Sequence, residues 1–197
     1  MALRREDRDL TALTVLALLF IEPRHTYEMH RLMIDTHKDF VTGLPRSMYH
    51  AVDRLLRAEL IEVVATEQEA GRPERTVYGL TDAGRVGLAE RVRRLLATPD
   101  SEATLLVAAL SYIGCLPVPG AIDALRERRD ELARAHAAKR KAIAAATSVP
   151  RILLVEFEIA RLAAERDWVA GLLTELETGR LGWPAPHGLE LPGELPP

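Results

Sequence analysis

A chain of 197 residues with 48% hydrophobic and 28% charged residues has the balance of a globular protein, long enough to bury a core as one domain or two small ones. Aromatic residues make up only 5%, so that core must rest on Leu, Ala, Val and Ile, which suits helices and argues against a large sandwich or barrel. The net charge of −3 excludes an all-round basic surface: residues 1–97 carry 15 Lys and Arg against 15 Asp and Glu, and residues 98–197 carry 11 against 14. Any nucleic-acid contact must therefore be a local patch.

The first ten residues, MALRREDRDL, are charged where a secretory signal needs an apolar segment and a small-residue cleavage site. Val15 to Ile21 is the longest apolar run and is far too short to span a bilayer. Cys115, the single cysteine, cannot form an internal disulfide. These features point to a cytoplasmic location with no membrane association. In its setting SYIGCLPV, Cys115 reads as a buried small hydrophobe, with a nucleophile or redox sensor as the competing role.

In chain order, DLTALTVLALLFI predicts a first helix capped by Asp9, with Leu10, Leu13, Ala17, Phe20 and Ile21 on its inward stripe. Glu22-Pro23 ends it, and a second helix opens at Thr26 with Tyr27, Met29, Leu32 and Met33 as its less polar positions. A third starts at Pro45 in the first turn and runs to Leu60. Its buried stripe is Met48, Val52, Leu55, Leu56 and Leu60, which leaves Arg46, Ser47, Tyr49, His50, Asp53, Arg54 and Arg57 outside or on the flanks. IEVVAT and RTVYGL then alternate as the strands of a hairpin whose turn contains Gly71, Arg72 and Pro73. Thr81 caps a fourth helix that ends near Leu96.

Three helices, a hairpin and a further helix within residues 1–98 predict a winged helix-turn-helix. In that architecture the third helix enters the major groove and the hairpin turn approaches the backbone or minor groove. SMYHAVDRLLRAELI, the wing segment GRPERTVYGLTDAGR and Tyr27 together resemble the PadR family of transcriptional regulators. The chain departs from the family's usual pattern at Thr26, where glycine is common, and at Leu44 and Arg46. The resemblance implies a DNA-binding repressor, active as a homodimer on an inverted-repeat operator and released by a small hydrophobic or aromatic effector. Tyr27 and Tyr49 read as partly buried, either core tyrosines satisfied by backbone or side chains whose hydroxyls reach a phosphate, and the resemblance favours the phosphate contact. The arginines of the third helix and wing join them, which makes Tyr27, Arg46, Ser47, Tyr49, His50, Arg54, Arg72 and Arg75 the candidate DNA-binding residues.

Residues 99–180 predict three helices, SEATLLVAALSYIGCL, AIDALRERRDELARAHAAKRKAIAAA and RILLVEFEIARLAAERDWVAGLLTELE. In the last of these Val155, Ile159, Leu162, Val169, Leu173 and Leu176 keep a spacing of four and three, interrupted by Arg166. Periodicity leaves open whether that seam joins two chains or packs on its own domain. The resemblance favours dimerisation, and the tryptophan after an acidic residue in AAERDWVAGL belongs to it. Phe157, Trp168 and the apolar helix from Ala103 to Leu116 are the candidate lining of an effector pocket. Residues 181–197, with five of the twelve prolines from Gly182 onward, predict a tail without regular structure.

No catalytic constellation or phosphate-binding glycine loop is present, so neither an enzyme nor a cofactor is expected. His25, His30 and His37 lie close in sequence, but His30 and His37 are two helical turns apart and no Cys completes a metal site. The competing class of function is a winged helix that docks a protein instead of DNA, which the neutral charge of residues 1–97 allows.

Overall fold

A computed structural model of the chain describes residues 3–35, 46–67, 75–143 and 148–184. Helix α1, Leu10–Ile21, is its centre, capped where expected by Asp9, whose Oδ1 accepts from the Ala12 amide at 3.1 Å. Its burial is wider than one stripe: every residue from Ala12 to Leu19 is buried, because elements pack around it on several sides. Ile21 is an exception to the expected stripe, 71% exposed in the last turn.

Strand β1 is only Arg24–His25 and was not legible in the sequence, since two residues between a proline and a helix show no alternation. Helix α2, Thr26–Asp35, follows and buries Met29 and Met33. Helix α3, Arg46–Arg57, buries Met48, Ala51, Val52 and Leu55. It ends three residues before the expected Leu60, at a left-handed Glu59 with φ 56°, where the Leu60 amide donates back to the Leu55 carbonyl at 3.0 Å. That closure is the one glycine usually makes.

Strands β2, Ile61–Glu67, and β3, Arg75–Leu80, pair antiparallel, and β1 pairs on the other edge to give the order β1-β3-β2. A register shift lies between Val63 and Ala65. Helix α4, Asp82–Ala97, starts at Thr81, whose hydroxyl accepts from the Gly84 amide at 3.0 Å and donates to the Glu59 carbonyl at 2.8 Å. A Cβ at Gly84 would lie 1.9 Å from the Leu60 carbonyl oxygen, so glycine is what lets α4 meet the end of the α3 segment. The wing tip, with Gly71, Arg72 and Pro73, and the start of the third helix at Pro45 lie outside the described residues, as does His37.

The helical arm comprises α5, Ala103–Ser111, a 3-10 turn at Ile113–Cys115, α6, Val118–Ile143, and α7, Val149–Glu177. Proline in the first turn starts both long helices before the expected residue: Pro119 in α6 and Pro150 in α7. Contacts from Arg126 to Glu177, Arg128 to Glu165 and Lys139 to Glu158 run in opposite order along the two helices, so they are antiparallel. One buried cluster continues from α1 through α4 into α5, α6 and α7. Two buried arginines sit within this body, Arg94 bonded to Asp7 and Arg128 bonded to Glu165.

Packing corrects the reading of the seam. Val155, Leu162, Val169, Leu173 and Leu176 are buried within the chain, the last four in the common core, and Ile159 is half-buried at their edge. The heptad pattern thus joins α7 to its own body and leaves those side chains no free surface for a second copy. The start of the expected tail is also ordered: the Trp183 indole N–H donates to the Leu116 carbonyl at 2.7 Å, while residues 185–197 lie outside the described residues. Among the described residues no helix is long and apolar enough to cross a membrane.

Candidate nucleic-acid interface

Three of the candidate residues meet although they come from different parts of the chain. Tyr27 at the start of α2, Tyr49 in the first turn of α3 and Arg75 at the first residue of β3 line one open cavity of about 230 Å³. His25, Thr26, Glu28, Thr76 and Tyr78 complete its wall. The tyrosines are more exposed than partial burial would have made them, 69% for Tyr27 and 58% for Tyr49. Beneath them Met29 and Met48 are fully buried and pin the two helices to the core.

The local electrostatics suit an anion. The cavity lies at the N-terminus of α2, where backbone amides without intrahelical partners give the helix its positive end. Arg75 adds a fixed charge beside two phenolic hydroxyls that can donate. Glu28 is the opposing carboxylate, engaged as an N-terminal cap by the His25 amide at 3.2 Å. Short β1 explains the position of His25: pairing with Val77 sets it across from the wing, and its Nδ1 lies 3.2 Å from the Thr76 carbonyl.

On α3, Arg46, Tyr49 and His50 are exposed at the N-terminal end, with Arg46 and His50 one turn apart. Arg54 is exposed too, but its guanidinium is 2.5 Å from Asp9 Oδ2, so part of its charge already serves the N-cap of α1. Ser47 departs from the expectation. Its Oγ is shielded from solvent, the residue lying at the edge of the buried stripe, and it has no hydrogen-bond partner among the described residues. Arg72 cannot be placed, being outside the described residues.

Residues 15–90, from the middle of α1 through the wing into α4, match the model of the transcriptional regulator PadR-like family. This segment is a PadR-like regulator domain. No curated protein matches the chain. Solved structures similar to it include Bacillus subtilis PadR in complex with operator DNA, 16% identical, covering 84% of this chain and 98% of that one, with a TM-score of 0.41. The same protein in complex with p-coumaric acid is 16% identical over 85% and 99% of the two chains, TM-score 0.39. The PadR-like transcriptional regulator BC1756 from Bacillus cereus is 17% identical over 88% and 99%, TM-score 0.36.

Beyond the PadR-like segment, the candidate effector residues do not meet in a cavity. Phe157 and Trp168 are 68% and 51% exposed. They lie three turns apart on α7, about 16 Å along the helix axis. A cavity of about 390 Å³ opens instead where α1 and α2 face the 3-10 turn, lined by Leu18, Phe20, Leu32, Tyr112, Gly114 and Cys115 among others. Part of that lining comes from the expected segment Ala103 to Leu116. The buried Tyr112 hydroxyl donates to Thr14 Oγ1 at 2.7 Å, and burial raises its pKa. Burial likewise pushes the Cys115 thiol up to about 12.

Proposed function

We propose that the chain is a homodimeric repressor that binds an inverted-repeat DNA operator and is released by a small hydrophobic or aromatic effector. The convergence of Tyr27, Tyr49 and Arg75 on one cavity is the observation that carries the DNA reading. A backbone phosphate seated there receives two hydroxyl donors, a guanidinium and the positive end of α2, contacts that fix register without reading sequence. Arg46 and His50, exposed on the same end of α3, then reach base edges in the major groove. Arg54 supports α3 through Asp9.

Dimerisation in this reading uses the face of α7 that its own body leaves uncovered. At about 100° per residue, Leu153, Phe157, Ala160, Ala164, Trp168 and Gly171 fall in one stripe opposite the buried seam. All six are exposed. Ala160 and Ala164, between the larger Phe157 and Trp168, and Gly171 at the end of the stripe allow a second helix to approach closely. An exposed apolar stripe of this length on a water-facing helix is an interaction surface, and a second copy, carrying the same stripe, is its complement. Effector binding fits the 390 Å³ cavity, whose lining is mostly apolar and joins the DNA-reading part to the arm.

A winged helix that docks another protein is the competing reading, favoured by the even balance of 15 basic and 15 acidic residues in 1–97. Mobility-shift titration against the DNA upstream of the chain's own gene separates the two. The repressor reading expects a shift that weakens steeply with salt; absence of any shift at low salt leaves the docking module.

A further inference from the structure

Arg128, from the middle of α6, is 2% exposed. Its Nη1 donates to the carbonyls of Leu95 at 3.0 Å, Leu96 at 3.2 Å and Thr98 at 3.0 Å. These lie at the C-terminal end of α4, where the last carbonyls of a helix have no partner of their own and carry its negative end. On its other side Nε donates to Glu165 Oε1 of α7 at 2.7 Å, and Nη2 lies 2.7 Å from the same oxygen. Glu165 is further engaged by Arg161 at 3.5 Å. One guanidinium thus binds three helices: the last helix of the PadR-like segment and both long helices of the arm.

A core position of this kind could be filled by an apolar side chain with equal or better stability. What an apolar residue could not do is fix direction. Five N–H donors in a rigid plane accept only one arrangement of α4 relative to α6 and α7, whereas apolar packing tolerates rotation and sliding. The main chain gives little direction there, since α4 and α5 are joined by the five residues Thr98 to Glu102, outside both helices.

We propose that Arg128 is a positioning residue that sets the angle at which the reading head leaves the arm, and through that angle the half-site spacing the dimer accepts. The second part rests on the dimeric DNA-binding reading above; the first does not. In a dimer the two heads are rigid extensions of one arm pair, so a change of angle at α4 moves both recognition helices relative to each other. Half-sites must then match one separation along the duplex.

Intrachain distance measurement by electron paramagnetic resonance tests the first part. Spin labels are placed on Ala58→Cys at the end of α3 and Ala170→Cys on α7, in full-length protein diluted with unlabelled chains. Wild-type Arg128 is expected to give one narrow distance, and Arg128→Gln a broadened or displaced one. Glu165→Gln, which leaves the carbonyl contacts in place, should broaden it less. A folded Arg128→Gln protein with the wild-type narrow distance overturns the proposal. Should Arg128→Gln fail to fold, Arg128→Lys and Glu165→Gln carry the same comparison, and unchanged distances in both overturn it equally. The second part is tested with operators whose two half-sites are moved apart by about half a helical turn, roughly five base pairs. Wild type should reject the altered spacing, and Arg128→Gln should lose that discrimination while keeping its affinity for a single half-site. Retained discrimination overturns the spacing role. If wild type binds no DNA, the regulator reading falls and takes the spacing role with it, while the distances still decide whether Arg128 sets the angle.

Discussion

Arg75 occupies the first position of β3, exposed at the mouth of the cavity it shares with Tyr27 and Tyr49. A charge there acts on whichever phosphate is opposite, irrespective of base. Arg75→Ala should therefore weaken binding to all sequences alike and reduce the salt slope by about one phosphate contact. Titrations at several salt concentrations check this, and an unchanged slope would remove Arg75 from the interface. Cys115 shows the opposite kind of control by surroundings. With its pKa pushed up to about 12, it holds almost no thiolate near neutral pH, and the thiolate is the reactive form. A disulfide reagent at pH 8 should label it slowly in the native protein and rapidly after denaturation; fast native labelling would revive a redox role. These two residues also mark how far sequence reaches at this scale. The outward positions of Tyr49 and His50 could be read from helical spacing, but the exposure of Tyr27, grouped by spacing with the buried Met29 and Met33, the burial of Ser47 Oγ and the ion pair of Arg54 with Asp9 depend on tertiary neighbours that no local pattern encodes.

Among the elements, α7 is apolar on two opposite faces, and periodicity by itself could not say which face meets the body and which meets solvent. Packing assigns the seam through Leu162 to α6 and leaves the stripe through Phe157 open. Substitutions on the two faces should therefore fail differently. Leu162→Asp places an unpaired charge in the core, at a cost of several kcal/mol, and should lower the melting temperature markedly. Phe157→Asp sits 68% exposed, should melt within a few degrees of wild type or below the dimer only by the lost association, and should sediment as a folded monomer. A dimeric Phe157→Asp protein would place the chain contact elsewhere. Other elements were legible for definite reasons: Asp9 and Thr81 are capping residues directly before apolar periodic runs, and both caps form. Strand β1 was not, being too short to alternate. The end of α3 was not either, because the left-handed turn at Glu59 carries no glycine to announce it.

At the scale of the whole molecule, two joints connect the winged-helix segment to the arm: the cavity between α1, α2 and the 3-10 turn, and the carbonyls of α4 held by Arg128. Gly114 lines the cavity, and a side chain there meets nothing within 4 Å at its Cβ, so Gly114→Phe places a bulky ring at the cavity's edge without a clash at the backbone. The expected outcome is normal DNA binding with loss of any thermal shift that small aromatic compounds produce in wild type; a retained shift would move the effector site away from this cavity. In the proposed dimer a separate effect acts on DNA affinity. Two heads carried by one arm pair convert the second binding event into an intramolecular one, and the effective concentration so gained multiplies affinity by about 10²–10⁴. Phe157→Asp leaves Tyr27, Tyr49 and Arg75 untouched, so each monomer should keep its single-head contacts and lose only that factor. Its affinity for a full inverted repeat should fall to roughly the level at which wild type binds a single half-site. Comparing both proteins on both operators by titration decides the point: equal affinities of wild type for one and two half-sites would mean that the heads do not act together, whatever the state of the dimer.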